Sequence, residues 1–170
     1  MNEQTSEHVS AVAPSGVARL IAHVKAMAPV RTAVVHPCDA LSLGGALDAR
    51  DAGIITPVLV APLAKLRAVA ADFGLDLGDS EIVDVPYSHA AAATAARLAG
   101  KGEVQALMKG SLHSDEYLGA ILAPEAGLRT ERRLTHCYIM QTASYPRPFI
   151  ITDAAINIAP SPEDKDHTVR

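Results

Sequence analysis

The stretch of this chain best equipped for chemistry is Met-Lys-Gly-Ser-Leu-His-Ser, residues Met108 to Ser114. A lysine, a glycine, an imidazole and two hydroxyls fall close together in it. Those types suit an oxyanion. A cation supplies charge, hydroxyls supply directed hydrogen bonds, and a helix beginning at Ser114 would present unpaired backbone N–H groups and its positive dipole end. Gly110 permits the unusual turn such a loop needs. The plain alternative is a helix cap. Ser114 followed by Asp115 and Glu116 is an ordinary capping sequence, and those two acids would repel a phosphate. By spacing alone the cap outweighs the anion site. A second polar pair, Asp153 and Asn157, lies in the mostly apolar run Thr152–Pro160. Four residues apart, they share one side if that stretch is helical. Polar groups in such a run must find partners or serve a ligand.

Other reactive types are scattered. His36 ends a strand beside Pro37 and reads equally as a buried, hydrogen-bonded histidine or a cleft residue. Cys38 precedes a helix N-terminus, which can lower a thiol pKa, but a small buried thiol is the commoner case. His89 and His136 have no partner at ligand spacing and read as structural. Arg129, Arg132 and Arg133 form a small cationic cluster, ordinarily a solvated loop, alternatively a contact for phosphate groups. The two cysteines are far apart, so neither a zinc site nor a disulfide framework is implied, and a reduced, cytoplasmic setting is the default.

The elements that must position these residues alternate. Val17, Leu20, Ile21, Val24, Met27 and Ala28 mark one face of a first helix that ends at Pro29 and must dock on something. Short β-branched strands are expected at Thr32–Pro37, Thr56–Ala61, Glu81–Val85 and Gln105–Gly110. Helices are expected between and after them at Asp39–Gly53, Pro62–Gly74, Ser88–Gly102 and Ser114–Ala123, with Asp39 as a cap and Gly53 as a stop. Near-continuous apolar strands alternating with helices predict an α/β fold, a mostly parallel sheet with helices on both faces. Ligands then bind outside the C-terminal ends of the strands, at loops His36–Ala40, Ala61–Lys65, Val85–His89 and Lys109–Ser114. After Pro124 the rhythm changes to two strands, Leu134–Ala143 and Pro148–Ala155, joined by Ser144–Arg147 as a hairpin. The expected division is a flexible tail over residues 1–14, a first lobe over 15–128, and the hairpin with the start of an incomplete second lobe over 129–170.

Composition narrows the class. At 170 residues, with 49% apolar and 20% charged side chains, the chain is globular and long enough for a real core. A net charge of −4 argues against a nucleic-acid partner, which would need a basic stripe. The polar N-terminus carries no apolar signal core, and the longest apolar run, near Ile54–Leu63, holds two prolines and is too short to span a bilayer. No membrane segment is expected.

Taken together, three stretches carry a resemblance. Ala106–Leu122 resembles the loop of the phosphate acetyltransferase/phosphate butyryltransferase family, His36–Pro62 resembles its first strand–helix–strand unit, and Gly127–Met140 with Ile151–Lys165 is similar to its central hairpin and following helix. The similarity runs from about Arg31 to about Lys165. It implies a two-lobed α/β enzyme, isocitrate/isopropylmalate dehydrogenase-like in fold, in which acyl-CoA and phosphate exchange an acetyl or butyryl group. It implies that Lys109, Gly110, His113 and Ser114 face phosphate and that Asp153 and Asn157 face the cleft. No cofactor is expected; acyl-CoA and CoA are substrates, and a homo-oligomer is expected. Two departures stand out. Gly119 occupies a position where many family members carry an arginine, and the family's Ser-Arg pair and thiol-facing Asp would lie beyond Arg170. A non-catalytic remnant or interaction module, and a dehydrogenase of the same general fold, are the rival readings. An isolated chain ending there would leave an open strand edge and apolar surface, so dimerisation or aggregation is expected.

Overall fold

The computed structural model describes residues 16–153 and 156–169. The expected tail, residues 1–14, lies outside them. Four strands, β1 (Val30–Val35), β2 (Ile55–Ala61), β3 (Glu81–Asp84) and β4 (Ala106–Lys109), form one sheet in the order β3-β2-β1-β4. Every pairing in it is parallel, with Val35 beside Val60 on one side and Lys109 on the other. The connecting helices are α2 (Ala40–Asp51), α3 (Leu63–Phe73) and α4 (Ser88–Gly100), and α5 (Ser114–Leu122) follows β4.

The side-chain period of two decides which helix covers which face. Ala33, Val35, Val58 and Val60 point to one side, where Ala91, Ala92 and Ala95 of α4 pack, with Tyr117 and Ala120 of α5. Val34, Leu59 and Ala61 point to the other, against Leu43, Ala46 and Leu47 of α2 and Leu66 and Ala70 of α3. The alanine run of α4 thus brings a helix close to the sheet without large side chains. At about 25 cal/mol per Å2, the buried strand and helix side chains are each worth roughly 1.5–3 kcal/mol when large.

The helix boundaries follow local chemistry. The Asp39 carboxylate accepts from Ser42 N–H at 2.7 Å and caps α2. The start of α3 is held from another strand end, with Leu63 N–H donating to Asp84 Oδ1 at 2.9 Å. Gly74 closes α3 at φ +63°. The first helix, α1 (Gly16–Val24), stops earlier than its apolar pattern predicts. Residues beyond it turn through short bonds, Ala26 N–H to His23 O and Met27 N–H to Val24 O, because Ala28 precedes proline and is pushed out of the α region.

The chain ends in a separate two-stranded antiparallel sheet, β5 (Cys137–Thr142) and β6 (Tyr145–Thr152), then α6 (Pro162–Val169). The hairpin turns at residues 143–144, not over Ser144–Arg147, with Thr142 opposite Tyr145. α1 packs on this hairpin: Val17 N–H donates to Gln141 Oε1 at 3.1 Å, and Gly16 lies against Pro148. Tyr138, Ile139, Tyr145 and Ile150 nonetheless stay exposed on the hairpin. Among the described residues, no helix is long and apolar enough to cross a membrane.

Candidate substrate-binding site

From β1 the chain leaves for α2 on one face, and from β4 it leaves for α5 on the other. Adjacent strands whose connections diverge open a crevice at their C-terminal ends, where α/β sheets hold ligands. Two loops meet there, residues 36–39 and 109–113.

They are bolted together through backbone. Gly110 N–H donates to Val35 O and Ser111 N–H to His36 O, both at 2.9 Å. Ser111 Oγ donates to His36 O at 3.0 Å and accepts from Cys38 N–H at 3.1 Å. His36 is buried and sits at φ +53°, an uncommon state for a residue with a Cβ. Its Nδ1 lies 3.0 Å from Ser111 O. A carbonyl only accepts, so the proton belongs on Nδ1 and Nε2 is left as the acceptor. Gly110 is required here. A Cβ would meet Val35 O and, at 2.6 and 2.7 Å, the His36 carbonyl O and C.

This lock presents Lys109 at the strand end, where it is exposed. The Asp39 carboxyl is held below its ordinary range, chiefly by the Ser42 N–H bond and also by the Lys109 charge. Burial pushes the Cys38 thiol up, with nearby Lys65 opposing that shift. His36 and Cys38 are therefore built into the loop framework. His113 and Ser114 are exposed at the start of α5, and His113 makes no side-chain cap bond. Glu116, in the first turn, is largely buried, with Oε1 at 3.5 Å from His89 Nδ1 of α4. Oε1 has no hydrogen-bond partner. His89 thus faces a carboxylate, a relation its sequence spacing does not signal.

Asp153 and Asn157 come together through their side chains. Asn157 Nδ2 donates to Asp153 Oδ1 at 2.6 Å and to Leu134 O at 3.2 Å. Asp153 is at φ +53°, and its Oδ2 is buried without a hydrogen-bond partner. The expected helix starts later, at Pro162. Asn157 lines an open cavity of about 510 Å3 with Leu118, Ile121 and Leu122 of α5 and the segment 128–134. The two expected groups therefore stand apart, one at the N-terminus of α5 and one beside its C-terminal half. No hydrogen bond or ion pair joins them among the described residues. Ser111, which carries the lock, was legible only as one hydroxyl among several in the loop. Its signal is the Gly-Ser pair ending a strand opposite His-Pro. No group of three His, Cys, Asp or Glu among the described residues is arranged to hold a metal ion.

Comparison with known proteins places this geometry. No family model matches the chain. It is 54% identical over 157 residues to a phosphate acetyltransferase of Rhizobium meliloti, covering 92% of this chain and 50% of that protein. A Rickettsia felis phosphate acetyltransferase is 52% identical over 142 residues, covering 84% and 41%. A Clostridium acetobutylicum phosphate butyryltransferase is 31% identical over 146 residues, covering 86% and 48%. Over this shared length the chain belongs to the phosphate acetyltransferase/phosphate butyryltransferase family. It spans about half the length of these relatives.

Solved structures correct the expected fold class. A phosphotransacetylase from Streptococcus pyogenes superposes with a TM-score of 0.71 at 13% identity, over 89% of this chain and 56% of that one. A branched-chain phosphotransacylase from Enterococcus faecalis V583 gives 0.61 at 18% identity, over 82% and 48%. The fold is therefore the phosphotransacetylase fold, not the isocitrate/isopropylmalate dehydrogenase-like fold expected from the resemblance. Strand–helix alternation is common to many doubly wound sheets, so it carries no power to choose between them. The spatial arrangement of the elements does, and it matches phosphotransacetylases.

Proposed function

We propose that this chain forms the phosphate-facing part of a phosphate acyltransferase that exchanges an acetyl or butyryl group between coenzyme A and phosphate. The observation that carries the reading is the 54% identity to a phosphate acetyltransferase across nearly the whole chain. The crevice at the β1/β4 switch supports it. In that reading Lys109, Gly110, His113 and Ser114 hold phosphate, and Asp153 and Asn157 face the acyl-CoA side of the cleft. A phosphate oxygen attacks the thioester carbonyl, the new C–O bond forms, the C–S bond breaks, and the CoA thiolate takes up a proton. No protein nucleophile is needed. The work is positioning, neutralising phosphate with Lys109, and stabilising the developing oxyanion.

In that reading the four-stranded sheet and its helices, within residues 15–128, make one wall of the cleft, and the hairpin and α6, within 129–170, belong to another, with α1 packed on the hairpin. The protein works as a cytoplasmic homo-oligomer, and its exposed apolar hairpin suits such an assembly. The test is phosphate-dependent release of CoA from acetyl-CoA and butyryl-CoA by Met1–Arg170, followed with a thiol reagent. Release above buffer background that requires phosphate and falls with Lys109→Ala supports the reading. Background rates in a chain that still binds CoA favour the non-catalytic remnant instead.

A further inference from the structure

We propose that His36 is a positioning residue for phosphate, acting through Ser111 to fix the Lys109–Ser114 loop, an inference that rests on the acyl-transfer reading above. In that reading the groups that hold phosphate are exposed at the two ends of the loop, Lys109 at one and His113 with Ser114 at the other. The stretch between them is anchored. Gly110 is buried, and so is Leu112, which packs in one core cluster with Val35, Val60 and Ala92. Ser111 sets the direction in which the chain passes from one anchor to the next, and His36 holds Ser111 from the neighbouring loop.

The hold is reciprocal. His36 Nδ1–H donates to the Ser111 carbonyl at 3.0 Å, and Ser111 Oγ–H donates to the His36 carbonyl at 3.0 Å. The His36 carbonyl also accepts Ser111 N–H at 2.9 Å and Cys38 N–H at 2.8 Å. The backbone bonds from β1 and its loop stop at the Ser111 N–H. The imidazole carries the clasp one peptide further, to the carbonyl that leads into Leu112 and His113. It therefore governs how the far end of the loop is aimed relative to Lys109. The backbone of His36 explains why histidine suits this post. Its φ of +53° is a state that asparagine, aspartate and histidine adopt more readily than other side chains. Of these, an ionised aspartate has no proton to give a carbonyl. A residue that merely filled the junction would need neither the donor nor that tolerance.

The test is titration of inorganic phosphate into isotopically labelled Met1–Arg170 and into His36→Gly and His36→Asn, read from the amide NMR signals of Gly110, Ser111, His113 and Ser114. Glycine accepts the φ of +53° and removes the donor, so the bond is lost without backbone strain. Asparagine also accepts that φ, and its side-chain N–H group stands as many bonds from Cα as Nδ1 does, so it restores the donor. His36→Gly should weaken phosphate about tenfold, and His36→Asn should stay within about threefold of the parent. A filling role alone would lower the urea midpoint of both variants and leave phosphate affinity unchanged; that result overturns the positioning role while the phosphate assignment stands. Equal weakening in both variants would trace the effect to the bulk of the ring and not its donor, and overturns it too. If the parent shows no phosphate-dependent shift at these amides, the positioning role and the phosphate assignment fall together. Should His36→Gly fail to fold, the imidazole nitrogen NMR spectrum of the parent, taken above the histidine titration range, gives the reading. The proton is expected on Nδ1, and a proton on Nε2 would abolish the clasp.

Discussion

Replacing Gly110 with alanine tests whether the two loops at the β1/β4 crevice are truly locked. The added Cβ would fall on Val35 O and within 2.6 Å of His36 O, all of it backbone. A side chain cannot rotate out of the way, so β1 and the loop after β4 must separate. Three bonds hang on that junction: Gly110 N–H to Val35 O, Ser111 N–H to His36 O, and Ser111 Oγ to His36 O. Losing two or three of them, at about 1 kcal/mol net each, costs about 2–3 kcal/mol. Overpacking a tight site independently costs about 1–3 kcal/mol. The two routes agree on about 2–3 kcal/mol, against a total stability of about 5–15 kcal/mol. The variant should therefore still fold, with its melting point lower by roughly 5–10 °C for a chain of this size. Urea unfolding reads the loss directly as a lower midpoint at unchanged slope. Gly119→Ala, where a Cβ meets nothing within 4 Å, is the matched control and should be neutral or slightly stabilising. A Gly110→Ala midpoint equivalent to less than about 0.5 kcal/mol of loss would refute the lock.

Gly44, inside α2, also has open space where a Cβ would go. Gly44→Ala should raise stability by about 0.5–1 kcal/mol in urea unfolding, and a loss would mean that something approaches that backbone. Gly100 is the opposite case, because a Cβ there would strike Ala126 O. Gly100→Ala should lower the urea midpoint by about 1–3 kcal/mol equivalent. Asp39→Ala removes the cap on α2 and should cost about 1 kcal/mol at neutral pH. Because the folded Asp39 carboxyl sits below its ordinary value, its contribution is full above about pH 4 and is lost as pH falls through the folded pKa. Asp39→Asn should keep most of the cap and flatten that acid limb of the stability profile. Cys38, half-buried with its thiol pushed up by burial, should be alkylated by iodoacetamide at neutral pH much more slowly than exposed Cys137, as peptide mass spectrometry would show.

Much of the frame follows from the sequence alone. Four short apolar strands and the helices after them are encoded locally, by β-branched runs, by Asp39 as a cap and by glycines at Gly53 and Gly74 that reach positive φ. The hairpin was legible too, but not its turn, because only the cross-strand register sets Thr142 opposite Tyr145. The family was legible from Ala106–Leu122 and Ile151–Lys165 taken together with the rest of the chain, and the 54% identity to a phosphate acetyltransferase bears that out.

Tertiary structure alone decided the rest. Strand order sets β1 beside β4, and only that adjacency turns residues 75 positions apart, His36 and Ser111, into a hydrogen-bonded pair. Nothing in local spacing encodes which strands become neighbours. The same limit applies to fold identity, because alternation of strand and helix is shared by many sheets and only the arrangement in space singles out the phosphotransacetylase fold. It applies as well to the arginines at 129–133. Along the chain they read as a solvated loop, and only the packing of α5 beneath them gives that loop an apolar floor.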